Sequence, residues 1–210
     1  NLYVNSPNTA TFNFSGNETV SWVTGNLLGG GTLINESSIN VFTNNVVING
    51  VTTLTNNGFI NLTDSGDILI STDGVLNNSA SGTIDFQADD SGIAESGGGT
   101  NLLDNSGLIK TSFTTADAAD QATISADLKN NDGTIQVEKG TLNLSNTTVN
   151  GIELTDGVYN VFANAALDFD GSVTVSGMLT GNLAGNLNWR SNLYVNSPNT
   201  ATFNFSGNET

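Results

Sequence analysis

LTNNGFINL, residues 54–62, holds the pattern on which the whole chain is built. Leu54 leads into Asn56-Asn57-Gly58, and the chain resumes as Ile60-Asn61-Leu62. Apolar residues at alternate positions are the signature of a strand with one buried face. Asn and Gly tolerate left-handed backbone, so the residues between the two halves read as a turn. The pattern recurs as LINESSINV (33–41), LNNSASGTIDF (76–86), LLDNSGLIKT (102–111) and LKNNDGTIQV (128–137). Its marker isoleucines are Ile39, Ile60, Ile84, Ile109 and Ile135, at successive spacings of 21, 24, 25 and 26. A period in this range marks a solenoid, in which each coil buries its apolar face only by stacking on the next. The expected fold is all-β: a right-handed parallel β-helix (β-solenoid) with coils of about 21–26 residues.

Other short strands fall between the markers, among them Val46-Val47-Ile48, Ile68-Leu69-Ile70 and Leu142-Asn143-Leu144. Two or three such strands fill one coil, and equivalent strands would stack about 4.8 Å apart. Asn-Gly or Asp-Gly pairs at 49–50, 73–74, 132–133, 150–151, 156–157 and 170–171 suit tight corners. In isolation such pairs read as hairpins, but hairpins do not explain the marker spacing. Asn35, Asn56, Asn77, Asn105 and Asn130 precede the marker strands and are expected to form a ladder of stacked amides. Residues 87–126 are less regular and read as coils with protruding loops, where partner contacts would concentrate.

A longer period encloses the short one. NLYVNSPNTATFNFSGNET runs from Asn1 to Thr19 and returns letter for letter from Asn192 to Thr210. The offset, 192 minus 1, makes 191 the period of a tandem array. Residues 1–191 are then one full β-solenoid repeat, and 192–210 begin the next. Residues 180–185, TGNLAG, also echo TGNLLG at 24–29, so the seam is made of the same material as the middle. Nothing between the copies reads as a linker, and the array is expected to be one continuous rod. Two tandem β-sandwiches of roughly 95 residues per repeat would be the competing architecture.

Composition narrows the function classes. Asn supplies about one residue in six, while Lys and Arg together number 4. That balance disfavours helices and favours turns and strands. The net charge of -16 leaves nothing to neutralise phosphates, so nucleic acid and anionic membranes are not expected partners. Such an acidic surface suits solubility and salty water. The absence of Cys rules out disulfides and thiolate metal sites. No apolar run reaches the roughly 20 residues that cross a bilayer.

Little in the sequence fits catalytic chemistry. There is no His, and a lyase acting on acidic sugars would need more cations than Lys110, Lys129, Lys139 and Arg190. A glycosidase needs only two carboxylates. Asp85, Asp168 and Asp170 lie at strand positions but read as solvated residues, and the chain is not expected to be an enzyme. Asp64, Asp67, Asp89, Asp90 and Glu95 could hold calcium loosely, though no calcium-loop motif is present. No other cofactor is expected.

The segments GTLNLSN (140–146), LTNNGFINL and YNVFANAALDFDG (159–171) resemble the β-strand repeats of large bacterial surface proteins. The resemblance is to filamentous-haemagglutinin-like and autotransporter-type adhesin stalks. It implies a bacterial extracellular rod at the cell surface, either spacing an adhesive tip or forming a filament. The expected partners are adjacent copies joined head to tail, with lateral self-association as a further possibility. The alternative is a glycan-binding solenoid that grips polysaccharide through Trp22, Trp189 and Tyr159, which predicts those aromatics on one exposed face.

Overall fold

Every strand in the computed structural model pairs in parallel with a strand one coil away. The structure describes residues 1–14, 18–114, 119–146 and 151–207. Among these there is no helix, only strands and turns. Thr210, at the end of the repeated stretch, and Asn150, of one predicted corner, lie outside them.

Each turn of the chain visits three sheets in order. Turn 2, for example, passes through Gly25–Leu28 in sheet 1, Thr32–Asn35 in sheet 2 and Ser38–Val41 in sheet 3. Turn 3 repeats this with Val46–Asn49, Thr53–Asn56 and Phe59–Leu62. Among the described residues sheet 1 stacks 9 strands, from Leu2–Tyr3 to Asn186–Trp189. Sheets 2 and 3 are joined at turn 8 by the long strand Val173–Leu183, which runs through the corner between them.

Most strands are short and alternate inward and outward, as in the buried Leu54 and Asn56 beside the half-buried Thr53 and Thr55. The inward side chains form columns. Leu33, Leu54, Leu76, Leu103 and Leu128 line sheet 2. The five marker isoleucines line sheet 3, in direct register from Ile39 to Ile135 and at most 1% exposed. Each such side chain contributes roughly 1.5–3 kcal/mol by leaving water. Turn 5 departs from the pattern at Thr111, whose inward hydroxyl donates to the Lys139 carbonyl at 2.8 Å, while Phe113 is fully buried nearby.

Coil lengths vary more than the marker spacing predicts. The step from Val20 to Ile39 is shorter than any between the marker isoleucines, and the step from Ile93 to Ile124 is longer. The long step contains corner residues at 96–101, 112–114 and 119–120, which leave the strand stations unmoved. The described residues of 87–126 thus hold regular strands with loops at the corners.

The second copy of the repeated stretch stacks without a break. Leu193–Tyr194 pairs with Val173 and Thr174 in sheet 2, and Ala201–Gly207 pairs with residues 177–183 in sheet 3.

Candidate functional site: the asparagine ladder and the coil ends

The corner between sheets 2 and 3 carries a single file of buried amides. Asn35 Nδ2 donates to Asn56 Oδ1 at 2.7 Å, Asn56 to Asn78 at 2.8 Å, Asn78 to Asn105 at 2.7 Å and Asn105 to Asn130 at 2.6 Å. All five are fully buried. The second N–H of Asn35, Asn56 and Asn78 reaches a carbonyl in the next coil, that of Phe59, Thr83 and Leu108 respectively. Each of these three amides therefore ties two coils together by side chain and by backbone, while Asn105 and Asn130 reach the Gly107 and Gly133 carbonyls of their own coils.

The ladder position in turn 4 is Asn78, one residue beyond the Asn77 expected. Asn77 faces outward, level with Thr55 and Asp104. The parity of the strand holds the missed signal. In every coil the ladder residue stands two places after the inward leucine, as Asn56 follows Leu54, so Leu76 points to Asn78.

The packing of this corner requires glycine. A Cβ on Gly82 would collide with the Asn56 carbonyl and the Asn78 side chain. One on Gly133 would collide with the Asn105 and Asn130 amides.

The ladder ends on a tyrosine. In turn 7 the ladder column passes from Asn130 to Leu154, and the isoleucine column passes from Ile135 to Tyr159. Tyr159 is longer than isoleucine, and its hydroxyl accepts from Asn130 Nδ2 at 2.8 Å. It also reaches the Asp156 carbonyl at 3.4 Å. Burial pushes its phenol well above the usual tyrosine range, more than the Asn130 hydrogen bond pulls it down.

The carboxylates of interest are structural in their contacts. Asp85 and Asp168 are only 5% and 6% exposed, not solvated as the sequence suggested. Asp85 lies 3.3 Å from Lys110 Nζ and accepts from the Ser112 hydroxyl and Gln87. Asp168 accepts from Asn188 at 2.6 Å and lies 2.8 Å from Arg190, which also approaches Asp170 at 3.8 Å. Lys110 and Arg190 each stand one coil beyond the carboxylate they meet, where burial demands a partner for the charge.

Of the calcium candidates, Asp67 and Asp90 lie close enough for their charges to interact. Asp64 accepts from the Ser65 N–H, Asp89 accepts from the Gln121 N–H, and Glu95 is exposed at the far end of Gly92–Glu95. Among the described residues no three acidic side chains are grouped to hold a metal. Burial raises the Asp67 carboxyl, the Gly92 N–H lowers it, and Asp90 raises it further.

The aromatics proposed to grip glycan fall apart in space. Tyr159 is inside the ladder, while Trp22 and Trp189 are half-buried on the first and last turns. Those end turns are apolar. At one end Phe12, Val20 and Trp22 roof a hollow of about 190 Å³ over Leu27, Leu33 and Ile39. At the other, Trp189 stacks on Phe169 with ring centroids 4.5 Å apart and meets Phe203 edge-on. Comparison with family models, curated protein sequences and solved structures returned no match.

Proposed function

We propose that this chain is a structural repeat of an extracellular filament or adhesin stalk, extended by β-stacking from one copy to the next. The observation that carries the reading is the seam. The second copy of the repeated stretch lies directly on turn 8 through two sets of parallel pairs, with no linker between them. Both ends of the coil stack also present the apolar side chains that another coil would cover.

The mechanism is mechanical. Stacked coils share a continuous ladder of hydrogen bonds along the axis, so stiffness comes from nearest-neighbour interfaces. The charge of -16 repels neighbouring rods and keeps them soluble. The resemblance to bacterial adhesin stalks supports an extracellular, cell-surface setting. The absence of Cys is compatible with it.

The test is length against copy number. Chains of one, two and four copies would be expressed and measured by small-angle scattering. Stiff stacking adds about 40 Å per copy. Growth with the square root of copy number, as for domains on flexible links, would sink the proposal.

A further inference from the structure

The repeated stretch does not sit on the same face of the solenoid in its two occurrences. Leu2–Tyr3 belongs to sheet 1, where it pairs with Leu27 and Leu28. Its copy, Leu193–Tyr194, belongs to sheet 2, where it pairs with Val173 and Thr174. The next strand moves in step. Ala10 and Phe12 lie in sheet 2 against Leu33 and Asn35, whereas their copies Ala201 and Phe203 lie in sheet 3 against Gly177 and Leu179.

We infer that each copy of the repeat is advanced by one third of a turn, so that successive copies present equivalent faces in three directions around the rod. The inference rests on the tandem-rod reading and goes beyond it. Strand counting gives the same result. Among the described residues one period holds nine strand positions in sheet 1 and eight each in sheets 2 and 3, with Val173–Leu183 counted in both. The total of 25 is eight turns and one strand over.

The two occurrences also fit together without conflict. The first fixes how a copy meets the coil above it, and the second fixes how a copy meets the coil below. Joined, they make sheet 1 of one copy continuous with sheet 2 of the copy before it. Parity is kept, since Leu193 is registered with the buried Val173 just as Leu2 is with the buried Leu27. The scheme then places the next copy's counterparts of Val20, Ser21 and Trp22 on Leu187, Asn188 and Trp189. That sets its tryptophan over Trp189, whose buried indole N–H has no acceptor among the described residues.

The consequence concerns what neighbours meet. The amide ladder occupies the corner between sheets 2 and 3 in one copy and steps to the next corner in the copy that follows. The loop at 96–101 steps with it. A given loop returns to the same side after three copies, about 120 Å along the axis. A second rod lying alongside therefore meets the same loop once in three repeats, and loops face neighbours on all sides.

Two experiments test this. In the 210-residue chain, which has no Cys of its own, Thr174→Cys with Tyr194→Cys should cross-link on mild oxidation. The control pair Thr32→Cys with Thr53→Cys, registered neighbours in sheet 2, calibrates the yield. Cross-linking comparable to the control supports the offset, and its absence while the control links overturns it. Electron cryo-microscopy of the native material supplies the second readout. A continuous rod with successive loops at three azimuths supports the inference. A continuous rod with all loops along one edge overturns the offset and leaves the rod intact. Separate beads overturn the rod reading and the offset with it.

Discussion

Turns 2 to 6 and turns 7 to 8 have the same three sheets and solve the corner between sheets 2 and 3 in opposite ways. In the first group the corner is filled by Asn35, Asn56, Asn78, Asn105 and Asn130, each bonded to the next. In the second the same column holds Leu154 and Val175. The isoleucine column changes at the same turn, from Ile135 to Tyr159. Either filling is stable because a buried polar file is acceptable when every member is paired, and an apolar file needs no partners. The junction is the costly place, and the Tyr159 hydroxyl occupies it by accepting the last amide N–H of the file.

The largest effect should come from breaking the file in its middle. Asn78→Ala removes the acceptor for Asn56 and the donor for Asn105 and the Leu108 carbonyl. Leaving such groups buried and unpaired should cost about 3 kcal/mol. Chemical denaturation would measure it. Hydrogen exchange should show the loss concentrated in turns 3 to 5, since each coil depends on its neighbours. A loss below that of an ordinary surface substitution would mean that the amides are spacers and that leucines alone hold the corner.

Moving the junction is a sharper trial. Leu154→Asn alone places an amide where the column is apolar and Tyr159 already fills the corner, with an expected loss of about 2 kcal/mol. Adding Tyr159→Ile restores the pairing of an asparagine with an isoleucine found in turns 2 to 6. The double variant should therefore be more stable than the sum of the single losses predicts, by about 1 kcal/mol in a double-mutant cycle. Additive losses would show that the two columns change at turn 7 independently.

The columns were legible in the sequence because each coil repeats its own inward positions. Ile39 to Ile135 could be aligned by eye, and four of the five ladder asparagines followed from their place before the turn. The fifth was misplaced because Asn77 and Asn78 are chemically the same, and only their distance from Leu76 separates inward from outward. The partners of Asp85 and Asp168 were hidden for another reason. Lys110 and Arg190 stand a full coil further along the chain and become neighbours only once the coil register is known. Turn 7 could not be foreseen either, since a tyrosine reads as one more apolar strand residue until its hydroxyl is seen to meet Asn130.

Tyr159→Phe tests the junction with less disturbance. It keeps the ring and deletes the acceptor, while Asn130 retains the Gly133 carbonyl at 3.2 Å. The expected loss is about 1 kcal/mol. The variant should also change the alkaline limit. Because the folded phenol is pushed above its ordinary value of 10.0, the folded state holds this proton more tightly than the unfolded chain does. Stability from this group is thus complete below that value and falls as pH rises above it. The wild-type denaturation midpoint should drop in this alkaline window more steeply than that of Tyr159→Phe. Parallel curves would mean that the buried phenol is not what limits alkaline stability.

The smallest effect asks what an amide does at a different corner. Asp67 precedes sheet 1 and accepts from the Gly92 N–H, but it is a carboxylate, raised above its ordinary value of 3.8 by burial and then by Asp90. Here the folded state again holds the proton more tightly, so stability falls as pH rises from the ordinary value through the raised one. Asp67→Asn keeps an acceptor for Gly92 and removes the charge. It should stabilise the neutral-pH protein by about 0.5 kcal/mol, a gain kept small by solvent at this half-buried position. The gain should disappear when both proteins are compared in acid, where Asp67 is already protonated. If Asp67→Asn instead destabilised the chain at neutral pH, the charge would be contributing to that corner. Amide filling would then be a property of the ladder corner alone, set by its stacked geometry rather than by burial as such.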